Sequence, residues 1–172
     1  FYEERGSGPA VILIHGGMLD HRMWDPQVEA LARGHRVIRF DVASCGRSPV
    51  PEKPWKAWEH VDLLMGALKV ERASLVGLSL GGWMAVDFAI AKPEKVLSLV
   101  LIDPGLQGFP FTARDWAPRL GAYFRAKRAG DAAKVADLFL RTWLAGPHRT
   151  PAQVEPAVWA KALEMAEPNA LR

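Results

Sequence analysis

The sequence is poor in several things at once, and each shortage removes a class of protein. One cysteine, Cys45, occurs in 172 residues, so no internal disulfide can form and a disulfide-stapled secreted scaffold is excluded. Lysine and arginine number 22 against 19 acidic residues, a formal net charge of +3. That balance gives no electrostatic footprint for nucleic acid, and the densest basic group, Arg125, Lys127 and Arg128, reads as a solvated helix face. Internal repeats and low-complexity tracts are missing. The longest apolar stretch runs from Ala73 to Ala91, but Gly77, Ser79, Gly81, Gly82 and Asp87 break it into a strand pattern followed by a helix pattern. It is expected to be core and not a membrane span. No secretory n-region and h-region is recognisable, and with a single thiol the expected compartment is the reducing cytoplasm.

What is present suits a globular chain. Hydrophobic residues make up 49%, enough for a sizeable core. Ala10 to His15, Arg36 to Phe40, Ala73 to Val76 and Val96 to Ile102 are short apolar runs ended by glycine or aspartate, the composition of strands buried on both faces. Helical spacing fills the gaps. Met23, Trp24, Val28, Leu31 and Ala32 form one face, with Gly34 as its expected cap; Trp58, Val61, Met65 and Leu68 form a second; Trp83 to Lys92 form a third, stopped by Pro93. Phe1 to Gly6 reads as the end of a strand entering a turn. Strand and helix alternate four times, which predicts an α/β fold with a mostly parallel sheet and helices on both faces. Beyond Gly105 no strand pattern remains. Arg114 to Lys127, Asp131 to Leu144 and Thr150 to Ala166 are expected helices, which divides the chain into a core over residues 1–104 and a helical segment over 105–172.

The chemistry converges on Gly77-Leu78-Ser79-Leu80-Gly81-Gly82. A serine at the tip of a sharp strand-to-helix turn stands at the carboxyl edge of a parallel sheet, where open α/β folds bind ligands. The turn needs small residues two positions to either side, and Gly77 and Gly81 supply them. The helix beginning beyond Ser79 offers unpaired N–H groups and a positive dipole end. Ala85 and Ala89 would let that helix lie close on the sheet.

With these pieces in order, the chain resembles the α/β-hydrolase superfamily. His15-Gly16-Gly17 is similar to its oxyanion loop, Asp41 through Gly46-Arg47-Ser48 to its D-x-x-G-x-G-x-S segment with Ser44 in place of the first glycine, and residues 77–82 to its nucleophile elbow. Lys92 to Val96 and Asp103-Pro104 are similar to the following helix-to-strand passage. The helical segment resembles the cap of the small esterases and 3-oxoadipate enol-lactonase-like enzymes.

The resemblance implies Ser79 as nucleophile, the N–H groups of Leu80 and Gly17 as oxyanion donors, and His15, Gly16, Gly77 and Gly81 as structural parts of the site. It implies a small-molecule ester or lactone as substrate, no metal, no organic cofactor, no membrane and no nucleic-acid partner. A serine nucleophile also needs a base, and the family places its acid and histidine late in the chain. Asp103 is a candidate acid, with an N-cap or loop-anchoring aspartate as the alternative. After Ser79 the only histidine is His148, between two expected cap helices. His21, His35 and His60 are expected at the surface or at edges, Cys45 as an ordinary thiol. The expectation is a truncated chain whose acid and histidine lie on strands beyond Arg172; the alternative is a non-catalytic lobe that binds a small apolar ligand, or forms a homo-oligomer or a complex with another chain through an open sheet edge. Trp83, Trp116, Phe109, Phe111, Tyr123 and Trp143 are candidates for an acyl pocket, with ordinary core the competing reading.

Overall fold

A computed structural model of the chain describes residues 1–106, 108 and 117–172, with the backbone alone for 117–119. The apolar runs form strands β2 (Ala10–Ile14), β3 (Arg36–Phe40), β4 (Ala73–Leu78) and β5 (Val96–Ile102). The first residues add β1 (Tyr2–Arg5). Sheet order is β1-β3-β2-β4-β5, with β1 antiparallel to β3 and every other neighbour parallel.

The helices are α1 (Asp25–Leu31), α2 (Ala57–Ala67) and α3 (Leu80–Ala91). Alternation along β2 assigns them to faces. Ile12 and Ile14 point into one core with Ile38, Phe40 and Leu75, closed by Val61 and Met65 of α2 and by Met84, Ala85 and Phe88 of α3. Val11 and Leu13 point the other way and join Val37, Trp24 and Val28 beneath α1. Because both faces are covered, β2 is buried along its whole length, as a central parallel strand must be.

Several local expectations give way to local chemistry. The helix expected from Met23 begins instead as a 3-10 turn, His21–Trp24, with Asp20 accepting from the Arg22 N–H, and α1 starts at Asp25 with Pro26 in its first turn. Proline has no N–H for the helical bond back to Arg22, so the ladder restarts there. The chain leaves α1 through Ala32 in ordinary right-handed geometry, so Gly34 is not its cap. On α3 the buried row is Gly81, Met84, Ala85 and Phe88; Ala85 packs as expected, whereas Ala89 lies off that row. The largest departure is β5. Its composition is that of a doubly buried strand, yet it is the sheet's edge, with Leu97, Leu99, Val100, Leu101 and Ile102 from 38% to 50% exposed.

The chain divides into two compact units, residues 1–109 and 110–172. The second consists of α4 (Ala117–Arg128), α5 (Ala132–Leu140) and α6 (Pro156–Asn169), with α5 against both of the others. Val135, Ala136 and Leu140 of α5 and Ala162, Met165 and Ala166 of α6 are buried. Arg125, Lys127 and Arg128 sit exposed in the last turn of α4, where cations favour the helix dipole. Thr150 and Gln153 form a capping box, but around a 3-10 turn at Pro151–Gln153 and not a long helix. Pro156 forces Glu155 out of the helical region, so α6 can start only after it. No helix among the described residues is long and apolar enough to cross a membrane.

Phe88, at 0% exposure, fills the space between α3 and the sheet, whereas Leu63 on α2 is 71% exposed. Phe88→Ala is expected to cost about 3–5 kcal/mol of unfolding free energy by urea denaturation. Leu63→Ala should change it by no more than about 0.5 kcal/mol.

Candidate active site

The carboxyl edge of the sheet collects the residues that matter. Ser79 follows β4 with φ 50 and ψ −107, a left-handed geometry that a non-glycine residue holds only where its surroundings enforce it. They do so through the main chain. The Ser79 N–H donates to Ile102 O at 3.0 Å, and Ser79 O accepts from the N–H groups of Trp83 at 2.9 Å and Gly105 at 3.2 Å. The flanking glycines permit the close approach: a Cβ on Gly77 would lie 2.3 Å from Gly81 O, and one on Gly81 would lie 2.2 Å from Ile14 O. Ser79 is thus raised on a sharp turn at the start of α3.

The Gly16–Gly17 loop follows β2, immediately beside this turn. Gly81 abuts the carbonyls of Ile14 and His15, and a Cβ on Gly16 would touch the Leu78 side chain at 3.2 Å. The Gly16 N–H is taken by the thioether of Met23 at 3.4 Å. A Cβ on Gly17 would meet nothing within 4 Å, so its backbone borders open space. Leu80 is the first residue of α3, where an N–H has no intrahelical acceptor.

His15 is fully buried and fixes the loop. Its Nδ1–H donates to Gly16 O at 2.8 Å, and its Nε2 accepts from the Val42 N–H at 2.9 Å. That pair of bonds requires the neutral ring, and burial holds its pKa below the ordinary imidazole value.

Two residues given minor parts by the sequence, His21 and Asp41, prove central, together with Asp20. His21, expected at a surface or edge, is 5% exposed. Asp41 Oδ1 accepts from both the His21 N–H at 2.8 Å and His21 Nδ1 at 2.6 Å, while Asp41 Oδ2 accepts from the Arg47 N–H at 2.8 Å. Asp20 caps the same turn through Arg22. Possible ligand atoms of Asp20, His21 and Asp41 lie within 4.8 Å of one another, but their short-range bonds are to N–H groups of the loops they tie, as a structural hub requires. Only the aspartate at a strand end signalled this; nothing near His21 in sequence reveals a partner twenty residues away.

Other candidates are dispersed. Asp103 has φ 45 at the end of β5, exposed, with no helix over residues 104–106; it is therefore not an N-cap. Its carboxylate has no hydrogen-bond or ion-pair partner among the described residues. Cys45 is buried and in no disulfide. His148 is exposed in the second unit. Among the described residues Ser79 Oγ has no hydrogen-bond partner. Of the candidate pocket aromatics, Trp83 and Tyr123 are half-buried and Trp143 is 50% exposed; Phe109, Phe111 and Trp116 lie outside the described residues.

A serine on a strained strand-to-helix turn, flanked by obligatory glycines and with a Gly-Gly loop following the neighbouring strand, fits one fold family, and the family model described as "alpha/beta hydrolase fold" matches residues 9–163. The chain belongs to the α/β-hydrolase fold family. It is similar to a pimeloyl-[acyl-carrier protein] methyl ester esterase of Aeromonas hydrophila, 34% identical over 80% of this chain and 55% of that protein. It is also similar to a 2-hydroxy-6-oxo-6-phenylhexa-2,4-dienoate hydrolase of Comamonas testosteroni, 38% identical over 60% of this chain and 39% of that one. Among solved structures, the enol-lactonase from Burkholderia xenovorans LB400 superposes with a TM-score of 0.79 at 27% identity, over 99% of this chain and 67% of its own. The chain thus spans roughly half the length of the curated α/β-hydrolases it matches.

The neutral His15 makes a pH prediction. Its folded pKa is below the unfolded value of about 6.5, so between the two the unfolded chain binds more protons. The stability His15 contributes is complete above about pH 6.5 and is lost as pH falls below it. The urea midpoint should drop between about pH 7.5 and 5.5, and the drop should shrink in His15→Asn, whose side chain does not titrate.

Proposed function

We propose that this chain carries the nucleophile and oxyanion hole of a serine hydrolase that cleaves a small carboxylic ester or lactone. The observation that carries the reading is the Ser79 elbow, strained at φ 50 and set against the Gly16–Gly17 loop. Ser79 Oγ would add to the acyl carbon while the N–H groups of Leu80 and Gly17 receive the developing oxyanion, worth about 2.7–4 kcal/mol per donor. Collapse would form the acyl-enzyme and release the alcohol, protonated by the base that took the serine proton; water would then cleave the ester at Ser79 through the same oxyanion hole, with no metal or organic cofactor taking part. His15 is not that base, since its Nε2 is occupied by the Val42 N–H. The base in this reading is a histidine outside these 172 residues, Asp103 is a candidate acid, and the helical unit serves as part of a cap. The similar esterase, hydrolase and enol-lactonase support acyl substrates of this kind. The single buried thiol supports a cytoplasmic setting.

A fluorophosphonate tests it. On the protein extended to the length of its relatives, intact mass should show one adduct that Ser79→Ala abolishes, while the 172-residue chain labels far more slowly. An adduct that persists in Ser79→Ala, or none on the extended protein, would sink the reading.

A second reading rests on β5. An uncharged edge strand with five exposed large apolar residues is a template for pairing. Under it the 172-residue chain forms a homo-oligomer through this edge. Light scattering should then give a dimer that Val100→Lys converts to monomer; a monomeric parent chain would end this reading.

A further inference from the structure

On the outer side of the first unit, the amino end of α2 and the length of α3 enclose a groove of about 430 Å³. Trp55, just before α2, and Trp58 within it line one side and Trp83 and Ile90 of α3 the other, with Lys56 and Asp87 also in the lining. Neither Ser79 nor the oxyanion loop contributes to it. Three indoles and an aliphatic side chain that is 76% exposed make a wall costly to leave in water.

The charges around it have a direction. Lys56 Nζ lies 5.9 Å and Lys92 Nζ 5.7 Å from the centroid of the Trp58 ring. Neither ammonium has a carboxylate partner among the described residues. The Trp58 quadrupole stabilises both cations, of which Lys56 lines the groove itself; as like charges they repel each other, and an anion near both relieves that repulsion. The first turn of α2 adds the positive end of its dipole on the same side. Glu59 occupies the Lys56 N–H at 2.9 Å, and Asp87 is the one carboxylate bordering the groove. The apolar body of a ligand must therefore supply most of the affinity, and its charge must lie at the lysine end. His60, stacked on Trp55 at 3.9 Å with an interplanar angle of 13°, holds that indole in place.

We propose that this groove is a second ligand site of the chain, separate from Ser79, for a small organic monoanion with a flat or aliphatic apolar body, such as an aryl carboxylate. The body lies along Trp58, Trp83 and Ile90, and the carboxylate sits between Lys56 and Lys92. Recognition by charge at one end and by aromatic contact along the rest distinguishes such a ligand from neutral apolar molecules and from inorganic anions.

Isothermal titration of the 172-residue protein with 2-naphthoate, beside uncharged 2-naphthamide, tests this. The carboxylate should bind about tenfold more tightly than the amide. The double variant Lys56→Gln/Lys92→Gln should erase that difference without weakening the amide, and Ile90→Asp, on an exposed rim where folding is not at stake, should weaken both. Ser79→Ala should change neither, which separates this site from the proposed catalytic one. Equal affinity for the two ligands, retention of the difference in the double variant, indifference to Ile90→Asp, or no binding at all overturns the proposal.

Discussion

The site depends on a contact between backbones. At the start of α3 the main chain passes so close to β2 and β4 that neither Gly77 nor Gly81 has room for a Cβ, with carbonyl oxygens at 2.2–2.3 Å from where one would be. This closeness brings the first turn of α3, with its unpaired N–H groups and dipole end, beside the carboxyl end of β2 where the Gly16–Gly17 loop begins. It also leaves Ser79 no relaxed conformation. The φ of 50 is held by bonds to Ile102 and Gly105, so the loop after β5 takes part in fixing the serine. Backbone strain at a single residue persists only where the bonding around it over-determines the conformation.

A second constraint holds the loops beside Ser79. Asp41, at 3% exposure, receives bonds from His21 on one loop and Arg47 on another, and its main-chain carbonyl receives the Ser48 hydroxyl. His15 links its own loop to Val42, the residue after Asp41. A buried network of this kind is favourable only when every member is satisfied, which makes it a device for geometry more than for stability. The end of β3 therefore acts as an anchor for the His15–Gly17 loop. That explains why so polar a group of residues lies buried beside the Ser79 turn.

How much of this was legible follows from the range of each interaction. Strands β2, β3 and β5 were read correctly because continuous apolar runs ended by glycine or aspartate carry their own boundaries. The face of α2 was legible because Val61 and Met65 recur at helical spacing and are both fully buried. The elbow was legible because its requirement for glycine is local. His21 was not, because its burial is created by Asp41 and by the antiparallel strand β1, neither of which leaves a periodic mark near it. The restart at Pro26 and the delayed start of α6 at Pro156 were missed for a different reason. The proline signal is local, but apolar periodicity runs through it and masks it in the sequence; in the structure the missing N–H prevails.

Strand β5 carries apolar composition to the edge of the sheet. Charged residues flank it, Lys95 paired with Asp62 at 2.6 Å before it and Asp103 after it, but none lies within it. Edge strands that face water are usually guarded by an inward charge, a proline or a bulge along the strand. The only irregularity here is a register shift at its beginning, near Ala73 and Ser74 of β4. Residues 97–102 are therefore composed as an interior strand and placed as an edge. The consequence reaches the serine, because the Ile102 carbonyl that restrains the Ser79 N–H belongs to this strand. An edge strand frays more readily than an interior one, and fraying here loosens the bond that holds the elbow. Whatever neighbour covers β5, from the same polypeptide or another, thus steadies Ser79 as well as shielding apolar surface.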